Sequence, residues 1–256
     1  MMDTAAGQLK IRIYENRQQL GEAAAHAAAT RIRELLEEKE YVNIIFAAAA
    51  SQNEFLAALV KEVIDWRRVN GFHMDEYIGL PVGAPQLFGE WLRERIFGLV
   101  TFRNVFYLDG QAISLPGECY RYAALLEQYP VDIAFLGIGE NAHLAFNDPH
   151  VADFRDKRRV KVVDLDEACK QQQVAEDCFD EVSQVPSYAF TLTIPALLEA
   201  RHIYCMVPGP RKAQAVYHTV SSGITEEYPS TILRDHSDAV LFLDKDSAGK
   251  ITPMVH

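Results

Sequence analysis

Short apolar runs alternating with helix-forming stretches along the 256 residues predict an α/β fold, a doubly wound, mostly parallel sheet with helices on both faces. Two further observations agree. The run VDIAFLGI (131–138) is apolar and β-branched on both faces, as a central parallel strand must be. No linker, repeat or low-complexity block breaks the alternation, so residues 1–256 are expected to form one domain.

The elements follow in order. KIRIYE (10–15) reads as a strand and leads into an Ala-, Glu- and Arg-rich helix over 17–39. YVNIIFA (41–47) is a strand, after which Phe55, Leu56, Leu59 and Val60 fall on one helical face. VNGFHMDEY (69–77) is a second buried run. Helix is expected over 86–97 and 117–129, with strands at 101–108 and 131–138. RRVKVVDL (158–165), YAFTLTIPALLEA (188–200), HIYCMVPG (202–209), a helix over 211–220 and AVLFLD (239–244) complete the pattern.

Composition narrows the function. A formal net charge of −11 provides no basic field for nucleic acid or an anionic membrane. No apolar run is long enough to span a bilayer, and the polar N-terminus lacks the apolar core of a signal peptide. Cys119, Cys169, Cys178 and Cys205 show no metal-binding spacing and read as thiols in a reducing cytoplasm. Neither an HExxH nor a DxDxDG pattern is present, so no metal is expected, and the absence of GxSxG counts against a serine hydrolase.

In open parallel sheets ligands bind beyond the carboxyl ends of the strands. That rule selects four loops: AAAASQNE after 41–47, DEYIGLP after 69–74, GENAHLAFND after 131–138, and PGPRKA after 202–207. Ser51, Gln52 and Asn53 open a helix after a run of small residues that ends at Ala50, a setting suited to a phosphate; the plainer reading of Ser51 is an N-cap. Asp75, beside Glu76 at a strand tip, is a candidate general base, the alternative being a loop cap or an ion pair. His143, flanked by small residues and near Glu140 and Asp148, is a candidate proton shuttle. Lys212 starts a helix where it can reach an anion over the sheet edge, or it is simply solvated, as Arg211 is read to be.

The blocks FHMDEYIGLP, LGIGENAHLAFNDP, VPSYAFTLTIPALLEA, VPGPRKAQAV and STILRDHSDAVLFLD resemble, in order from about Lys10 to Asp244, the glucosamine-6-phosphate deaminase/isomerase family. Its wider superfamily includes the 6-phosphogluconolactonases, which carry Asp-Glu-Arg where this chain has Asp75-Glu76-Tyr77. The resemblance implies a doubly wound sheet and a cofactor-independent reaction. A hexosamine 6-phosphate is ring-opened, its C2 proton moves to C1, and the resulting imine loses ammonia. By motif position Asp75 is then the base and His143 exchanges protons with the ring oxygen and O1. Asp148, where the family has Glu, orients His143. The 50–53 loop, Gly139 and Lys212 are expected around the phosphate.

The chain also departs from the family pattern. Glu140-Asn141-Ala142-His143 stands where Asn-Asp-Gly-His is usual, and asparagine cannot hold an imidazolium as aspartate does. Glu140 either supplies the displaced carboxylate or points away. The phosphate loop lacks the family's glycines. The family's arginine near CFD has no counterpart, Glu176 and Asp177 occupying that region, and HVADF replaces a pair of serines. The expected partner is a small sugar phosphate, and a homo-oligomer is compatible with the chain. Two alternatives stay open: a lactonase-type hydrolase in which His143 activates water, and a non-catalytic sugar-phosphate-binding protein.

Overall fold

The computed structural model describes residues 2–165, 167–175 and 179–251; Glu176, Asp177 and Cys178 lie outside the described residues. In chain order the strands are β1 (Met2–Ala6), β2 (Leu9–Tyr14), β3 (Val42–Phe46), β4 (Val69–His73), β5 (Asp75–Tyr77), β6 (Asn104–Phe106), β7 (Ile133–Leu136), β8 (Val160–Asp164), β9 (Tyr188–Leu192), β10 (His202–Val207) and β11 (Ala239–Asp244). The helices are α1 (Arg17–Glu38), α2 (Asn53–Leu59), α3 (Phe88–Leu92), α4 (Leu115–Gln128), α5 (Glu167–Ala175), α6 (Ile194–Leu198) and α7 (Ala213–Ser221).

The main sheet runs β1-β2-β11-β10-β7-β3-β4-β6, and only the edge pair β1/β2 is antiparallel. Side chains alternate across a strand, so Val42, Ile44 and Phe46 of β3 pack in one layer and Ile45 in the other. The first layer is closed by α1, through Leu20, Ala24, Ala28 and Ile32, and by Phe55, Leu56 and Leu59 of α2. The second is closed by Tyr122 and Leu126 of α4, Leu197 of α6, and Ala215 and Val216 of α7. Local signals start these helices: the side chains of Asn16, Ser114 and Thr193 accept from the N–H groups of Gln19, Gly117 and Ala196.

The sheet departs from the sequence expectation in its second half. The 69–77 run is two strands. Pairing of β4 with β3 and β6 ends at His73, and after Met74 the chain joins a separate antiparallel sheet, β5-β9-β8. The 158–165 and 188–200 segments belong to that second sheet and to α6, because Tyr77, Phe146, Val163, Leu165 and Phe179 form a satellite core of their own. The 86–97 helix is α3 followed by a π-helical turn over Arg93–Phe97. The strand at 101–108 shrinks to β6, and β1 pairs with β2 although its sequence carries little apolar pattern.

From β3 the chain winds outward through β4 and β6, whereas from β7 it winds the other way through β10 and β11. The switch point therefore lies between β3 and β7, which are hydrogen-bonded neighbours, and a crevice is expected beyond their carboxyl ends. The opposite end is held by an amide ladder that runs from buried Asn43 and Asn70 out to exposed Asn104. Asn104 donates to Asn70 Oδ1 and Asn70 to Asn43 Oδ1, both at 2.9 Å, on residues that face each other in register. Asn70→Ala breaks both links and strands a buried acceptor, so a loss of about 2 to 3 kcal/mol is expected in urea denaturation. Since the ladder lies at the far end of the strands, turnover at saturating substrate should not change.

Candidate active site

A cleft of about 450 Å³ opens at that switch point. Its walls come from the loops after β3, β4, β7 and β10, which contribute Ala50 and Ser51, Asp75, Gly139 and His143, and Lys212. The four loops selected from sequence thus meet in one place.

Asp75 is delivered by the break between the two sheets. His73 is fully buried and its ring spans the break: Nδ1 donates to the Asp75 carbonyl at 2.8 Å and Nε2 accepts from the Leu108 N–H at 3.0 Å. A carbonyl can only accept, so this tautomer is required. Burial, only partly opposed by the Asp75 carbonyl, pushes the His73 pKa down to about 4, and the ring is neutral at working pH. The Tyr122 hydroxyl accepts from the His73 N–H at 3.0 Å and lies 2.8 Å from the His73 carbonyl, replacing the strand pairing lost there. The Asp75 carboxylate has neither a hydrogen bond nor an ion pair among the described residues. Burial first, then the charge of Glu76, raises its pKa well above the usual aspartate range.

Glu76 points away from the cleft. Its carboxylate accepts from the N–H groups of Tyr77, Phe88 and Gly89 at 2.8 to 2.9 Å, anchoring the start of α3. Burial still dominates and raises its pKa to about 7.

The loop after β7 folds His143 back over its own glycine: a Cβ on Gly139 would lie 2.1 to 2.4 Å from the imidazole ring. Ala142 (φ 68°) and Ala145 (φ 51°) adopt left-handed backbone, which disfavours any side chain. Tertiary bonds hold them there. Ser230 N–H donates to the Ala142 carbonyl, Phe146 N–H to Thr191 Oγ1, and Asn147 Nδ2 to the Leu144 and Leu192 carbonyls. Thr191 is also the residue paired with Asp75 across β5 and β9, so one residue registers Asp75 against the histidine loop.

Asp148, 1% exposed, accepts through Oδ1 from His143 Nδ1 at 3.0 Å and from Asn141 Nδ2 at 2.7 Å. Burial alone would raise its pKa. The His143 imidazole and hydrogen bonds from His143, Asn141 and Cys169 instead bring it down to about 2. The reshuffled triad with Glu140 does not form. Glu140 makes no ion pair with His143, its Oε1 has no partner among the described residues, and Asn141 reaches Asp148 in its place.

Gln52 needs a second correction. It is fully buried, and its Nε2 lies within reach of Ser51 Oγ and of the Leu136 and Met206 carbonyls, which staples the ends of β7 and β10 without facing the cleft. Gly137 permits this approach, since its Cβ would sit 3.1 to 3.2 Å from Ser51 and Gln52. Asn53, in the loop expected around the phosphate, lines the cleft, whereas sequence reading missed His73 and the cleft residues Trp91, Arg95 and Gln173. His73 lay within a quoted motif, whereas the others carry no motif signal. Among the described residues no group of three or more His, Cys, Asp or Glu side chains could hold a metal ion, and no helix is long and apolar enough to cross a membrane.

The fold and cleft define an α/β protein that pairs a buried carboxylate with a carboxylate-held imidazole over the strand ends. The chain belongs to the family described as glucosamine-6-phosphate isomerases/6-phosphogluconolactonase, whose pattern matches residues 15–242. It is 30% identical to a glucosamine-6-phosphate deaminase of Clostridium botulinum (strain Eklund 17B / Type B) over 250 residues, covering 96% of this chain and 98% of that one. It is 32% identical to the glucosamine-6-phosphate deaminase of Listeria monocytogenes serotype 4a over 208 residues, 81% of this chain and 87% of the other. Among solved structures, a monomeric glucosamine-6-phosphate deaminase superposes with a TM-score of 0.85 at 27% identity, covering 94% and 99% of the two chains. The 6-phosphogluconolactonase of Thermotoga maritima shares the fold, with a TM-score of 0.75 at 20% identity over 92% and 99% of the chains.

Because the folded Asp148 carboxyl is held low, its stabilisation is complete above the ordinary aspartate pKa of about 4 and is lost as pH falls toward about 2. Asp148→Asn should therefore be less stable than the parent by about 2 kcal/mol at neutral pH, with the gap closing in acid. Urea denaturation at both pH values measures it; a gap that persists in acid would assign the loss to packing.

Proposed function

We propose that the chain converts a hexosamine 6-phosphate, glucosamine-6-phosphate or a close relative, with water into fructose-6-phosphate and ammonia, using no cofactor. The observation that carries this reading is the placement of Asp75 and His143 in one cleft, each held by a different sheet. The reading takes the protein as cytoplasmic and as one domain over residues 1–256. A homo-oligomer is not required, since Asp75, His143 and Asp148 all come from one copy.

Asp148 occupies Nδ1 of His143, leaving Nε2 to exchange a proton with the ring oxygen and O1 as the sugar opens. Asp75 then takes the C2 proton and returns it to C1, so that C2 becomes an imine carbon and water releases ammonia from it. A desolvated carboxylate without a cationic partner is a stronger base than an exposed one, which suits removal of a weakly acidic C–H. Lys212 and Ser51 bind the phosphate. The lactonase alternative rests on the shared fold but leaves the buried Asp75 without a task, and a binding protein has no use for a carboxylate whose burial costs stability.

Ammonia release and fructose-6-phosphate formation, assayed on glucosamine-6-phosphate with galactosamine-6-phosphate alongside, test the reading. Thermal stabilisation by both sugars without turnover would favour the binding protein, and hydrolysis of phosphogluconolactone alone would favour the lactonase. Asp75→Asn should abolish isomerisation while sugar-phosphate binding survives; turnover within about tenfold of the parent, about 1.4 kcal/mol in the barrier, would remove Asp75 from the base role. Asp75 must lose its proton to act and its pKa is raised. The acid limb of kcat/KM should therefore lie above the ordinary carboxylate range, with activity rising as pH rises through it. Asn141→Ala, which strips a donor from Asp148, should lower kcat about fivefold, roughly 1 kcal/mol, and more than Glu140→Gln does.

A further inference from the structure

Three cations stand near the loop after β3, and their surroundings differ. Arg17 is held outside the cleft by Glu54 in a two-pronged pair, Nε to Oε1 at 2.6 Å and Nη2 to Oε2 at 2.9 Å, which saturates its charge locally. Lys212 enters the cleft from the turn after β10. Arg95 enters it from the π-helical turn after α3, an unusual local geometry that recurs at functional sites.

Arg95 is held by groups that leave its charge available. Its guanidinium carbon lies 4.1 Å from the centre of the Trp91 ring, Nε donates to Asn53 Oδ1 at 3.2 Å, and Nη1 donates to the Trp91 carbonyl at 3.2 Å. Its one acidic contact among the described residues is Glu94 at 3.4 Å, whose side chain is 61% exposed, and such a pair is weak. An aromatic shelf and a neutral amide fix a planar, permanently charged group on the cleft wall that Ser51 and Asn53 also line, with Nη2 uncommitted among the described residues and open to a phosphate oxygen. Asp75, at the reacting end, is the only carboxylate among the described residues that line this cleft.

We propose that Arg95, braced by Trp91 and Asn53, is a second cationic contact for the substrate's phosphate alongside Lys212, and selects phosphorylated sugars over unphosphorylated ones. This rests on the reading of the cleft as a sugar-phosphate site and adds the residue that sets its specificity. Arg95 is part-exposed, so substitution removes charge without emptying a core position.

The test compares the parent with Arg95→Gln and Arg95→Lys. KM for glucosamine-6-phosphate and the inhibition constant of inorganic phosphate should each rise about tenfold or more in Arg95→Gln, with kcat little changed, and Arg95→Lys should recover part of the loss. KM and phosphate inhibition within about twofold of the parent, or a loss confined to kcat, would overturn the proposal. If the parent turns over no hexosamine phosphate, the functional reading fails separately. Thermal stabilisation by inorganic phosphate and glucose-6-phosphate then decides: its loss in Arg95→Gln supports the contact, and equal stabilisation of both proteins, or none of the parent, removes it.

Discussion

The structure depends on holding a buried carboxylate that has neither a hydrogen bond nor an ion pair among the described residues. Asp75 sits where β4 leaves the main sheet and the chain crosses to a second one, and that crossing has to be rigid for the carboxylate to be useful. His73 makes it rigid. Its neutral ring bridges two backbone groups that no strand pairing can reach, while Tyr122 caps the last peptide of β4. Glu76 takes three N–H groups and fixes α3. The two adjacent acids thus have opposite tasks: one is saturated with donors and anchors structure, while the other is denied donors and keeps its basicity.

The second sheet has a purpose in this arrangement. Were 69–77 a single strand of the main sheet, Asp75 and Glu76 would continue its pleat and point to opposite layers. Handing the chain to β9 lets Thr191 face Asp75 in register while its hydroxyl takes the Phe146 N–H from the histidine loop. Asp75 and the His143 loop are therefore set against each other through one β9 residue. Within that loop, Asn141 is an asparagine for a reason visible only in place: its amide donates to Asp148, where a carboxylate would set a second negative charge against the first.

Much of this was legible in the chain. VDIAFLGI could only be a central strand, and the rule that ligands sit beyond parallel strand ends led directly to the loops bearing Ser51, Asp75, His143 and Lys212. Other residues were beyond reach because their roles depend on direction. Gln52 lies beside Ser51 in sequence yet turns inward to staple two strands, and Glu140 lies beside Asn141 yet does not reach His143. Arg95 belongs to a stretch whose apolar spacing signals only a helix, and it enters the cleft through the π-helical turn.

Periodicity and loop chemistry, which are local properties, determined from sequence alone the α/β class, the parallel core and the loops that carry the polar chemistry. The tertiary structure decided which carboxylate holds the histidine, where the second sheet begins and which cations share the cleft. These depend on side-chain direction and on partners distant in the chain, such as Thr191 to Asp75 or Asn53 to Arg95, and no sequence spacing encodes the distance between groups that meet only after the sheet has closed.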